Sequence, residues 1–254
     1  MSESHAGPLP GSGGGLSAIS RARDGRHHRI GGNALRAGVL GANDGLVSNF
    51  SLVMGVAGAT STGAPVLIAG VAGLLAGSLS MALGEWLSVQ SSRELYENRI
   101  ALEREELLAF PEEEEDELRL IYEAKGLDAD AARRLAAKIM NGDADVALTT
   151  MAREELGIDP DELGGSAWVA AITSFVLFAL GALVPLVPFL VGAGTAAIVS
   201  STVMSGLALF GLGAAITLLT GKNAIRSGLR QVGFGLAAAA ITFGIGSVLG
   251  AVIG

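Results

Sequence analysis

The residues best placed to do chemistry in this chain are carboxylates in apolar company. Asp44 stands inside an otherwise apolar stretch, eight residues past Arg36, or roughly 12 Å further along a helix. A carboxylate so placed is costly unless it lines a polar cavity or has a partner. Ser48 and Ser51, at offsets of four and seven, fall on the same helical face. A second apolar stretch carries a similar stripe of Ser78, Met81, Glu85 and Ser88. Two facing stripes, each with one carboxylate, have the make-up of the walls of a cation pathway, to which Met81 adds a thioether. The plainer alternative is that Asp44 hydrogen-bonds across a helix interface while Glu85 snorkels to a membrane boundary.

A second group of carboxylates lies between residues 93 and 163, where 21 Asp or Glu accompany 9 Lys or Arg. Glu103 with Glu106, Glu114 with Glu117, and Met151 with Glu154 are spaced i, i+3, which turns both members of each pair to one side of a helix. Such pairs hold ions in helical di-metal proteins, although a run like Glu112 to Glu117 can equally be a solvated acidic face. The chain has no Cys, and its three His are at positions 5, 27 and 28. Disulfides and thiolate sites are thereby excluded, and the absence of His beyond position 28 tells against a tight zinc or copper site. Carboxylate, hydroxyl and thioether donors suit Fe2+, Mn2+ or Co2+. A di-iron oxidase needs Glu-x-x-His pairs, which a chain without His after position 28 cannot supply. An acidic block is also a poor partner for nucleic acid.

The elements that must position these residues are helices in a membrane. Half of the 254 residues are hydrophobic, too many for an ordinary soluble domain. Five stretches, 34–59, 64–90, 167–189, 193–219 and 230–253, have the length and apolarity of spanning helices. Residues 61–65 form a short turn between the first two; Pro185 and Pro188 mark the end of the third, and Gly246 and Gly250 offer a small-residue contact on the last. All 17 basic residues lie in three groups: Arg21 to Arg36, the 93–163 insert, and Lys222, Arg226 and Arg230. Five crossings put every one on the same side, so the N-terminus and the insert are expected in the cytoplasm and the C-terminus outside. The expected fold is thus an all-α polytopic membrane protein of five transmembrane helices, with a small cytoplasmic helical domain inserted between helices 2 and 3. Its divisions are a flexible tail at 1–30, helices 1 and 2 at 31–92, the acidic metal-binding domain at 93–163, and helices 3 to 5 at 164–254. Within the insert, breaks are expected near Phe110 and Pro111, Gly126, and Asn141 with Gly142, and Asp128 and Asp143 serve as N-caps.

The segments LRAGVLGANDGLVSNFSLVMGVAGA, from Leu35 to Ala59, and AGSLSMALGEWLSVQSS, from Ala76 to Ser92, resemble the first two membrane helices of the vacuolar iron transporter family. The likeness extends over the chain after its tail, with the acidic insert in the same place. It implies a homodimer of five-helix subunits that exports Fe2+, and often Mn2+, from the cytosol in exchange for protons. On this resemblance the pathway residues fall on Asp44 and Met81, with Glu85 adjacent. The metal ligands of the insert fall on Glu103, Glu106, Glu114, Glu117, Met151 and Glu154. The family's paired methionines fall on Thr150 and Met151, and Thr150 departs from the pattern by offering a hydroxyl where a thioether is expected. The partners implied are divalent metal, protons, membrane lipid and a second subunit. The expected membrane is the bacterial plasma membrane, or the vacuolar membrane in a eukaryote. A manganese-selective exporter and a membrane-anchored iron buffer or sensor are the alternatives, and a mere anchor has no use for Asp44.

Overall fold

The computed structural model describes residues 38–60, 62–160, 163 and 165–253, apart from the side chains of 218, 219 and 253. The tail expected at 1–30, the basic residues from Arg21 to Arg36 and the opening of the first span at 34–37 lie outside the described residues. Among the described residues every regular element is helical. In chain order these are α1 (38–59), α2 (Gly63–Ala109), α3 (Pro111–Ala124), α4 (Ala129–Met140), α5 (Ala144–Glu154), α6 (Ala167–Leu183), α7 (Val187–Val191), α8 (Gly194–Thr220) and α9 (Ala224–Ile253). They form two compact units, one from residues 38–81 and 173–253, the other from Ala82–Ile172.

In the first unit apolar side chains cover the outside, with Ile68, Leu207, Val191 and Val252 among the exposed ones. Four helical segments, Gly63–Ala109, Ala167–Val191, Gly194–Thr217 and Ala224–Val252, are long and apolar enough to cross a membrane. The remaining helix of this unit, α1, has the length to do so at about 1.5 Å per residue, and is more polar because Asn43, Asp44, Ser48, Asn49 and Ser51 all lie on it. Glycine lets α1 be gripped from two sides. A Cβ at Gly45 would lie 2.1 Å from the carbonyl oxygen of Phe178, and one at Gly181 equally close to that of Ala42, so α1 and α6 touch backbone to backbone. On the other side Gly246 and Gly250 of α9 meet the carbonyls of Gly55 and Ala59, as the spacing of the two glycines anticipates. Polar struts tie the same helices. Thr242 Oγ1 donates to the Ser51 carbonyl at 2.7 Å, and Gln231 Nε2 donates to Asn43 Oδ1. Phe50, Val53, Met54, Val66, Leu186, Phe189, Ala197 and Ala239 fill the core between them.

The third span closes at its prolines as expected, α6 itself ending at Leu183 and the helical segment at Val191. Pro185 and Pro188 each sit at the first positions of a new turn, the 3-10 turn Val184–Leu186 and then α7, where a missing N–H is tolerated. The freed Pro185 carbonyl accepts from Ser201 Oγ at 2.7 Å. One boundary differs from expectation, in that the basic segment before the fifth span is helical. After Gly221 closes α8 in the left-handed conformation (φ 64°), Asn223 Oδ1 accepts from Arg226 N at 3.1 Å, and α9 starts at Ala224.

The second unit is a small bundle. The expected breaks recur: α2 ends at Ala109, Pro111 opens α3, and α4 and α5 begin after Asp128 and Asp143, whose carboxylates accept from Ala131 N and Asp145 N. Leu118, Ala136 and Met151 form its core, flanked by Leu107, Tyr122, Ile139 and Met140. Trp86 and Trp168 meet edge to face at 6.1 Å. The 47-residue α2 contributes residues 63–81 to the first unit and 82–109 to this one.

Candidate metal sites

In the first unit Asp44, Ser48, Asn49 and Leu52 of α1, Gly73, Gly77, Ser80 and Met81 of α2, and Phe178 of α6 line a cleft of about 350 Å³. The helices leave it open because two of the facing residues on α2 have no side chain. A Cβ at Gly73 would lie 2.8 Å from Asn49 Oδ1, and one at Gly77 2.3 Å from the Phe178 ring. Met81 lies across α1 at Gly41, where a Cβ would be 3.3 Å from Met81 Cε and 3.7 Å from its sulfur. A carboxylate, hydroxyls, an amide oxygen and a thioether thus share one cleft, a donor set for a borderline divalent cation.

The stripes expected from sequence are met in part. Asp44, Ser48 and Met81 line the cleft together. Ser51 is not among the lining residues, and its backbone carbonyl accepts from Thr242 Oγ1 of α9. Ser78 is fully buried, with its hydroxyl bonded to the Leu74 carbonyl at 2.7 Å. The lining instead follows the i, i+4 row 44, 48, 52, which is the ridge a neighbouring helix packs against. Glu85 is half-buried four residues past Met81 on α2, and Ser88 is exposed. Asn49 and Ser80 were not singled out by the sequence pattern.

In the second unit Glu103 near the end of α2, Glu114 in the first turn of α3 and Glu155 at the C-cap of α5 bring one carboxylate oxygen each within 4.8 Å of the others. The Phe110–Pro111 break makes this possible, since it ends α2 and starts α3 within two residues and so sets Glu103 beside Glu114. Glu103 is 1% exposed and Glu114 8%, and Glu103 Oε1 and Glu114 Oε2 have no hydrogen-bond partner among the described residues. Burial, followed by the charges of Glu155, Glu114 and Glu106, pushes the Glu103 carboxyl up to about 7. Burial first, then Glu155, Glu117 and Glu106, raises Glu114. Glu155 is raised by burial and by Glu117, against a hydrogen bond with Glu103 that lowers it. Such a cluster is satisfied by protons or by a cation with oxygen ligands, and a divalent ion relieves the mutual repulsion most fully.

Of the insert residues expected to hold metal, Glu103 and Glu114 are in this cluster, and Glu106 and Glu117 are exposed beside it. Met151 is fully buried in the bundle core. Glu154 forms an ion pair with Lys125, and Thr150 Oγ1 donates to the Val146 carbonyl at 2.7 Å. Glu155, passed over in the sequence, stands where Glu154 was expected. Leu148, Met151 and Ala152 are on the buried face of α5, and Glu155, exposed at the C-cap, falls at i+7 from Leu148 in line with them, a spacing that could have identified it.

Long apolar helices around an oxygen and thioether cleft, with a carboxylate cluster in a separate acidic unit, define an integral membrane protein equipped to bind cations. The chain belongs to the VIT family, whose sequence model matches residues 35–247, a family of transporters rather than enzymes. It is 40% identical to the vacuolar iron transporter of Acanthamoeba castellanii over 84% of this chain and 77% of that protein. It is 32% identical to vacuolar iron transporter 1 of Arabidopsis thaliana, over 87% and 88%. With vacuolar iron transporter homolog 1 of Oryza sativa subsp. japonica the identity is 33%, over 96% and 82%.

Proposed function

We propose that this chain exports Fe2+, and with it Mn2+, from the cytoplasm in exchange for protons. The observation that carries the reading is the cleft in which Asp44 and Met81 stand together, since a charged ligand and a soft one inside an apolar helix unit suit a transition-metal cargo. The names of the relatives support iron. In this account α1 is the fifth spanning helix, its polar side turned to the cleft, and the subunit works as a homodimer. The acidic domain, 93–163, faces the cytoplasm with the N-terminus, as the distribution of basic residues favours. It collects M2+ on Glu103, Glu114 and Glu155 with help from Glu106 and Glu117. The ion then passes by Glu85 to Met81 and Asp44, where a proton from outside replaces it. A carboxylate that holds either M2+ or H+, never both, couples the two gradients.

The test is uptake of Fe2+ and Mn2+ by proteoliposomes under an imposed pH gradient. Asp44→Asn keeps the shape of the side chain and removes its charge, and should abolish proton-coupled uptake. Uptake by that variant at the unaltered rate contradicts the coupling role.

A further inference from the structure

Asn49 is the one residue of the cleft whose polar end is both buried and half-satisfied. It is 2% exposed. Its Nδ2 donates to the Ala182 carbonyl of α6 at 2.6 Å, which fixes the orientation of the amide because a carbonyl can accept only from the nitrogen. Oδ1 is therefore turned away from Ala182, beside Gly73, which lines the same cleft as Asn49, Asp44, Ser48 and Met81, and it has no hydrogen-bond partner among the described residues. A buried acceptor left without a partner is strongly unfavourable. Across from it Gly73 withholds the side chain that would cover the oxygen, since a Cβ there would lie 2.8 Å from Oδ1.

We infer that Asn49 Oδ1 is a second, neutral oxygen ligand for the divalent cation, five residues or about 7.5 Å along α1 from Asp44, and that Gly73 keeps a side chain from taking the space beside it. The inference rests on the transport reading above and adds a position that this reading does not contain. Asp44 binds the ion through full charge; a carbonyl oxygen replaces a hydration water while attracting the ion less. A pathway conducts only if its sites are strong enough to fill and weak enough to empty. Asn49 supplies the weaker step.

The experiment measures Mn2+ uptake by the full chain in proteoliposomes, with KM and kcat separated, for the wild type, Asp44→Asn, Asn49→Ala, Asn49→Asp and Gly73→Ala. A residue that only braces α1 against α6 needs its amide nitrogen, so Asp and Ala at position 49 would then behave alike and leave KM unchanged. A ligand needs its oxygen. The inference predicts a KM about tenfold higher in Asn49→Ala, and a KM below the wild type with slower turnover in Asn49→Asp, where a carboxylate holds the ion longer. In Gly73→Ala the new methyl would lie 2.8 Å from Oδ1 and 2.3 Å from the end of the Leu52 side chain, crowding the oxygen itself, so it should raise KM about tenfold in a protein that still elutes as a single species. Wild-type KM in Gly73→Ala, or equal KM in Asn49→Ala and Asn49→Asp, overturns the inference. If Asn49→Asp does not fold, Gly73→Ala alone decides. A wild type that moves no Mn2+ or Fe2+ overturns the transport reading and this inference together, whereas loss of uptake in Asp44→Asn beside unaltered position 49 and 73 variants overturns the inference alone.

Discussion

Three carboxylates whose oxygens lie within 4.8 Å of one another repel unless protons or a cation stand between them, and this fixes how the acidic cluster responds to pH. The Glu103 carboxyl ionises near 7 when folded, against 4.5 as the ordinary value. A raised carboxyl means that the native state holds the extra proton, so its contribution to stability is complete below about 4.5, declines as pH rises, and is gone above about 7. Thermal melts of the metal-free protein should accordingly lose stability between pH 5 and 7.5, and Glu103→Gln should flatten that slope. Metal must displace the same proton. Titration of Mn2+ into the purified full chain should show affinity falling by up to about tenfold per pH unit below 7, and a flat profile would contradict the assignment of Glu103 as a ligand. Glu155→Gln should weaken binding more than Glu154→Gln, because Glu154 is held by Lys125. Glu103 and Glu114 were legible in the sequence as members of i, i+3 pairs. The choice between Glu154 and Glu155 was not, because adjacent residues on a helix point about 100° apart, and it is Glu155, although exposed, whose oxygen comes within 4.8 Å of those of Glu103 and Glu114.

At the scale of elements, the gripping of α1 makes a prediction about glycine. Gly45→Ala places a methyl 2.1 Å from the Phe178 carbonyl oxygen, where backbone must move. Overpacking of this kind costs about 1–3 kcal/mol, or roughly 2–10 °C in melting temperature for a chain of this size. Gly211→Ala, which meets nothing within 4 Å, should be neutral or stabilising, since Ala is the better helix former. Equal melting temperatures for the two variants would contradict backbone contact between α1 and α6. Most elements were readable in advance from apolar runs and from caps such as Asp128 and Asp143. Pro185 and Pro188 mark where α6 gives way to short closing turns, and Ser201 Oγ donates to the Pro185 carbonyl there. What misled was charge. Arg226 falls outside the span expected at 230–253 until Asn223 is seen to cap the helix that carries it.

At the scale of the whole molecule, charge placement and span count make one joint prediction. Because the chain has no Cys, single cysteines introduced at Thr62, Ala193 and Asn223 report topology without background. An impermeant thiol reagent applied to intact cells should label the first two and not the third; labelling of position 223 would contradict the proposed orientation. The deepest claim is that the cleft moves metal against protons, and its most direct measurement is Fe2+ uptake into vesicles of the wild-type protein with the pH gradient imposed in either sense. The account predicts uptake that follows a lumen more acidic than the medium, stops when the gradient is collapsed, and disappears in Asp44→Asn. Fe2+ entry at one rate whatever the gradient, or undiminished in Asp44→Asn, would contradict it.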